Sequence, residues 1–304
     1  MLEVPGWETV LGIFNIFRAL WMLVLYLVWG IGVFANGVSP RAIFMRTACI
    51  DDECKVKLRD ENGTDTMDAT KPENVPDVEI MMVPSSSFDR IVTGKSIISF
   101  LSGLLQPASV GHLELASTNP EDHMQVFYPY FTDPQDLVTC RKAARFSMRL
   151  AQEFVQNSDY PYPASVFMAP SINNETLPPD ISEASTKTVV PLSDLEKTWD
   201  TVTDAEIDEY VLALGISGLH FSCTCRMSLS PKDGVVDEEL RVHGFSNLRV
   251  ADTSAFPKLP SAHTMLPSMM MGARCADFIR SESRGKKRCD EDCYNRITYK
   301  RDRL

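Results

Sequence analysis

Residues 240–279 read LRVHGFSNLRVADTSAFPKLPSAHTMLPSMMMGARCADFI, and the fold is decided there. Two Leu-Arg-Val runs, at Leu240 and Leu248, are each closed by turn-forming residues. A proline-punctuated loop then carries His263. A helix is expected from near Pro267, because Met270, Ala273, Ala276, Phe278 and Ile279 recur at helical spacing. Just upstream, His220–Met227 reads HFSCTCRM and Gly234–Asp237 reads GVVD. His220 follows an apolar helical run and a Gly-Ile-Ser-Gly turn. Both histidines therefore lie at element ends, where loops on a rigid frame tend to present reacting side chains.

Further upstream, boundary chemistry marks two helices. Thr203-Asp204-Ala205-Glu206 has capping-box spacing, and the run through Ile207, Tyr210, Val211 and Leu214 stops at Gly215. Asp133 reads as an N-cap with Pro134 at the first helical position, followed by Leu137, Cys140, Ala144, Met148, Ala151 and Val155. Strand-like alternation appears at Val78, Ile80 and Met82 and again at His112, Glu114 and Ala116. A mixed sheet backed by helices accounts for both. Residues 157–182, with five prolines and two adjacent asparagines, read as an ordered surface excursion. The charged, Gly- and Thr-bearing stretch 51–76 reads as an exposed loop or linker. Asn62-Gly63-Thr64 and Asn174-Glu175-Thr176 fit the glycosylation acceptor pattern and mark surface at most.

The amino-terminal ALWMLVLYLVWGIGVFA, Ala19–Ala35, holds no charge in seventeen residues. That length is the lower edge of what crosses a hydrocarbon layer. Gly30 and Gly32 interrupt its last turn, so a buried helix is the favoured reading and a membrane span through residues 19–35 the alternative. At the other end, residues 284–304 carry an excess of Lys and Arg and read as a solvated basic extension.

With 304 residues, 44% of them apolar, the chain can build a real core, which excludes disorder along its length. A formal net charge of −11 opposes phosphate polyanions and anionic lipid, so nucleic acid is not an expected partner. Eight cysteines are too few for a disulfide scaffold and lack paired CxxC spacing, so no metal site is expected. Of the five histidines, His112, His123 and His243 occupy strand-edge or polar-loop positions that suit ordinary surface roles.

The ordered set of segments from His220 onward resembles the carboxyl-terminal signature of the glucose-methanol-choline (GMC) oxidoreductases. These are flavoenzymes that oxidise alcohols. The shared elements are a histidine, Thr-Cys-Arg-Met, GVVD, LRV-x-G, LRV-x-D-x-S, a proline turn, a second histidine, and a helix ending Ala-Asp-x-Ile. Leu104–Asp136 is similar to the family's substrate-domain strand region, and the likeness runs from about residue 76 to 283. It implies FAD as cofactor and a small-molecule alcohol as substrate. His220 matches the histidine that faces the flavin and takes the hydroxyl proton, and His263 the partner that hydrogen-bonds the alcohol oxygen. Ala251 and Asp252 match the segment that meets the cofactor's ribityl-phosphate portion, and Thr264 and Met265 match backbone positions beside the isoalloxazine ring. The chemistry needs such groups, because hydride leaves carbon readily only as its oxygen becomes an alkoxide, and a positioned base gives roughly 10² to 10⁴-fold. For Asp252 the plain alternative is a strand-end turn acid.

Two departures stand out. Cys223 and Ser228 occupy positions where relatives often have glycine, so side chains replace hydrogens in a turn. The family's GxGxxG dinucleotide turn does not occur, the nearest string being Gly30–Gly37 with the wrong spacing. The resemblance thus implies a carboxyl-terminal portion with an α+β architecture: a substrate sheet backed by helices plus the carboxyl-terminal lobe of an FAD-binding domain. The expected organisation is 1–75 apolar helical segment and charged linker, 76–216 substrate-binding portion, 217–283 catalytic and FAD-contacting portion, and 284–304 polar basic tail. An apolar face left by the missing amino-terminal flavin-binding half predicts aggregation or a partner chain. The alternative functions are a catalytically inactive remnant, an interaction module of the same fold, or a membrane-anchored protein.

Overall fold

Short, unevenly spaced strands build the first part of the molecule. The computed structural model describes residues 1–6, 9, 15–32, 34–35, 41–68, 70–86, 92, 94–173 and 188–283. The basic tail 284–304, the acceptor triplet at Asn174, part of the excursion 157–182 and part of the Gly30–Gly37 string lie outside these residues. The chain divides into two compact units, 1–218 and 219–304.

In the first unit, β1 (Leu2–Glu3), β2 (Ala42–Met45), β3 (Val78–Val83), β4 (Ile97–Leu104), β7 (Ser165–Val166) and β8 (Val190–Pro191) form a six-stranded sheet in the order β2-β3-β4-β1-β7-β8. A separate hairpin pairs β5 (His112–Glu114) with β6 (Gln125–Phe127). Every pairing between these strands among the described residues is antiparallel, so the sheet is antiparallel rather than mixed. Antiparallel neighbours can be joined by short turns, whereas parallel ones need a long crossover.

The helix α2 (Pro134–Gln156) lies against this sheet. Its Asp133 cap accepts from the Gln135 N–H, with Pro134 at the first position. Its fully buried residues are Asp136, Thr139, Ala143 and Ser147, one helical row away from the apolar stripe that the sequence singles out. Small side chains let the backbone of α2 come close to the strands, and the Ser147 hydroxyl bonds Ser102 of β4 at 2.7 Å. The larger Leu137, Met148 and Val155 flank that line and are half-buried. Buried Asp136 accepts from the amides of Ala108 and Ser109, which satisfies a carboxylate that would otherwise be costly there.

The helix α3 (Asp204–Leu214) begins at the expected capping box: Thr203 accepts from the Glu206 N–H, and Glu206 reaches back to the Thr203 amide. It ends at Gly215. Arg141 of α2 grips Asp208 of α3 with two bonds, Nε to Oδ1 at 2.7 Å and Nη2 to Oδ2 at 2.5 Å. That pairing holds the Asp208 carboxyl below the usual carboxylate range.

Three expectations need correction. The segment around β7 is no surface excursion, because Phe167 and Met168 are wholly buried and pack with Val92 and Ile97. Cys54, inside the charged stretch, is buried with Met45, Ile50, Val78 and Ala143. The amino-terminal apolar run does form a helix, α1 (Ile16–Trp29), capped by Asn15 and stopped by left-handed Gly30. However, none of its residues is buried, and Phe17 is 80% exposed. Fourteen residues rise only about 21 Å against a hydrocarbon core of about 30 Å, and no helix among the described residues is long and apolar enough to cross a membrane.

Candidate functional site

The second unit owes little to regular secondary structure. Its one long element among the described residues is α4 (Met265–Ser283), which begins two residues ahead of the expected Pro267. Val236, Leu240, Ala255 and Cys275 form its buried core, with Met227, Val242, Ala251 and Phe278 packed around them. The HFSCTCRM segment is pinned along the 3-10 turn Thr253–Ala255 by three amide bonds: Cys223 to the Thr253 carbonyl at 3.1 Å, Cys225 to Ser254 at 2.9 Å and Met227 to Ala255 at 3.1 Å. The GVVD turn is fixed in the same manner. Asp237 accepts from the amides of Glu239 and Arg241 and from the Arg241 guanidinium. Partial burial works against its ionised form, but these bonds outweigh it and hold the carboxyl below its usual range.

His220 sits between two residues with left-handed backbone, Leu219 at φ 59° and Cys223 at φ 67°. Each costs about 1 kcal/mol for a side chain with a Cβ. Cys223 is the position where a glycine would be at ease, which gives its departure from the family pattern a conformational meaning. His263 stands just before α4. Thr264 follows it, its carbonyl accepting the Ser268 N–H at 2.9 Å as the first bond of the helix. Backbone constraints thus fix both ends of the site.

The two imidazoles meet. His220 Nε2 lies 2.8 Å from His263 Nδ1, across 43 residues of sequence. The ring centroids are 4.9 Å apart and the planes nearly perpendicular at 86°. On the other side of His220, the Thr264 hydroxyl lies 3.4 Å from Nδ1, so both nitrogens of that ring are engaged. Thr264 is only 9% exposed. The sequence assigns Thr264 through its backbone and misses its hydroxyl. The available signal is a hydroxyl residue adjoining a site histidine at the start of a helix.

The remaining expected residues fall on the same unit. Asp252 Oδ1 accepts from the Ser254 amide at 2.8 Å and from its hydroxyl at 2.6 Å, capping the turn that pins the His220 segment. That is the behaviour of a turn acid, and its side chain is exposed. Ala251 is half-buried against the core. Met265 is 75% and Leu266 63% exposed, forming an apolar ledge at the start of α4. Two of the other histidines are occupied elsewhere: His112 stacks on Phe127 with centroids 4.6 Å apart, and His243 Nε2 lies 3.0 Å from the Ser228 carbonyl.

Residues 107–272, more than half of the chain, match a family model described as GMC oxidoreductase. Human mitochondrial choline dehydrogenase is 30% identical over 214 residues, which are 68% of this chain and 30% of that protein. An oxygen-dependent choline dehydrogenase of Vibrio vulnificus is 32% identical over 175 residues, 57% of this chain and 26% of its own. The chain therefore spans under a third of the length of these relatives. Among solved structures, formate oxidase of Aspergillus oryzae superposes with a TM-score of 0.61 at 20% identity, covering 93% of this chain and 46% of that one. An FAD-dependent oxidoreductase of Chaetomium thermophilum gives 0.59 at 21% identity, covering 93% and 45%. At such identities the superpositions show a shared fold.

Proposed function

The chain belongs to the GMC oxidoreductase family, and from that premise we propose that it is the catalytic and substrate-binding portion of an FAD-dependent oxidoreductase acting on the CH–OH group of alcohols. The observation that carries this reading is the 2.8 Å contact between His220 Nε2 and His263 Nδ1. Two imidazoles that reach one point can divide the work on a hydroxyl, one accepting its proton and the other donating a hydrogen bond to its oxygen. Flavin, when bound, supplies the acceptor for the hydride.

Residues of the second unit fit that cofactor. The amides of Met265 and Leu266, in the first turn of α4 ahead of Pro267, have no carbonyl partner inside their own helix and can serve as donors for ring oxygens. The exposed Met265 and Leu266 offer an apolar surface for a planar ring. Asp252, with Oδ1 already committed to Ser254, retains acceptor capacity for the ribityl-phosphate side, next to Ala251. The flavin-binding portion itself would come from the length of the relatives that this chain does not span.

The reading is tested by adding a separately produced amino-terminal flavin-binding portion of a relative to the purified chain. Alcohol is then added without oxygen, and the flavin's visible absorbance is followed. Bleaching is expected, with the rate falling roughly 10² to 10⁴-fold in His220→Ala. An assembled pair that holds flavin but is not bleached by any alcohol overturns the proposal and favours a non-catalytic module of the same fold.

A further inference from the structure

The hydrogen-bond chain Thr264–His220–His263 permits only two arrangements of protons while both rings are neutral. In one, Thr264 donates to His220 Nδ1, and His220 Nε2–H donates to His263 Nδ1. In the other, His263 Nδ1–H donates to His220 Nε2, and His220 Nδ1–H donates to the Thr264 hydroxyl. A neutral imidazole carries one proton, so the bond on one side dictates the bond on the other.

The second arrangement is the one that gives the pair the roles implied by the resemblance, His220 as base and His263 as hydrogen-bond donor. It leaves His220 Nε2 as an acceptor and His263 Nδ1–H as a donor, facing each other at 2.8 Å. An alcohol hydroxyl is itself one donor and an acceptor. Placed between the rings, its O–H donates to His220 Nε2 and its oxygen accepts from His263 Nδ1–H, so one N–H···N bond is exchanged for two bonds with no proton relocated. Two such bonds separate the nitrogens by about 4.5 Å, so the rings part by about 2 Å. The first arrangement exchanges those roles, with His263 Nδ1 accepting the O–H and His220 Nε2–H donating to its oxygen, so His220 could not act as the base.

We propose that Thr264 is a positioning residue whose hydroxyl accepts the Nδ1–H of His220 and so selects the tautomer that presents Nε2 as the proton acceptor. The inference rests on the alcohol-oxidising role assigned to the pair above. Thr264 suits the task because its carbonyl is tied to Ser268 at the start of α4, its side chain is buried, and a β-branched residue has restricted χ1.

The test reads the tautomer directly and needs no flavin. The full-length chain is labelled with ¹⁵N-histidine, and two-bond ¹H–¹⁵N spectra are recorded at a pH where the imidazoles are neutral. His220→Ala and His263→Ala spectra assign the two rings. The wild type is expected to show His220 with a protonated Nδ1 and bare Nε2, and His263 with a protonated Nδ1. The near-isosteric Thr264→Val is expected to shift His220 toward the opposite tautomer, and Thr264→Ser to restore the wild-type pattern. A bare Nδ1 on His220 in the wild type overturns the proposal, as does a Thr264→Val spectrum identical to wild type. If Thr264→Val does not fold, the wild-type and Thr264→Ser spectra still decide. Failure here leaves the alcohol-bleaching assay untouched, and failure of that assay leaves the tautomer result standing. In the assembled enzyme, Thr264→Val should lower kcat with KM little changed, and Thr264→Ser should recover kcat.

Discussion

The two units of this protein are held together by different means. Residues 1–218 use ladders: β3 and β4 pair over six residues, from Val78 with Leu104 to Val83 with Ser99. A cluster of wholly buried apolar side chains around Phe167 and Met168 packs beside them. The described residues of the second unit, 219–283, use loops bonded to loops, around a small buried cluster of Val236, Leu240, Ala255 and Cys275. Yet the second unit carries the paired histidines. A ladder distributes stability along equivalent bonds, whereas a loop framework gives each bond one job, such as holding the His220 segment along Thr253–Ala255. Placing two rings at 2.8 Å needs that second kind of construction, and left-handed backbone on either side of His220 is part of its cost.

This contrast can be broken experimentally. Phe167→Ala should be the most damaging change, lowering unfolding free energy by about 3–5 kcal/mol, measured by urea denaturation followed by circular dichroism. A loss below about 1 kcal/mol would mean that the sheet unit does not depend on its apolar centre. Asp237→Asn should cost about 1–2 kcal/mol, visible as faster hydrogen exchange at the Glu239 and Arg241 amides. Because the folded carboxyl lies below its usual range, its contribution is complete above the ordinary carboxylate pKa. It is lost as pH falls through the depressed folded value, so the variant should lack that acid-side dependence. A loss matching that of Phe167→Ala would erase the distinction between ladder and loop. The smallest effect is expected at the helix cap, where Thr203→Ala should cost about 1 kcal/mol and Thr203→Ser much less. Bonds from the Thr203 amide, then its hydroxyl, push Glu206 down to about 2. That cap should therefore hold above the usual glutamate range and fail only as pH drops through about 2.

Legibility in the sequence followed the same division. Elements with long periods or cap chemistry, such as the helices after Asp133 and Thr203, can be read from spacing alone. The two-residue strands β1 and β7 cannot, since two residues have no period. Phe167 and Met168 lie in a proline-rich segment whose composition points outward, and neighbouring charges hide the burial of Cys54. The uniform apolarity of α1 argues for a covering that the structure does not supply. In the second unit periodicity says little, while the ordered short words from His220 to Ile279 point to the site residues by resemblance. That resemblance could not reveal the Thr264 hydroxyl, because proximity of a side chain to His220 Nδ1 is a property of the folded loop.

The bare surface of α1 has a practical consequence for anyone handling the protein. Phe17, Trp21, Leu27 and Trp29 are each more than half exposed, so the native chain should bind environment-sensitive fluorescent dyes before any unfolding. A dye-based melting curve would start bright and change little, understating cooperativity, whereas the dichroism of α2 and α3 would still report the transition. Replacing Trp21 and Trp29 with glutamine should dim that starting signal while leaving the dichroic midpoint nearly where it was.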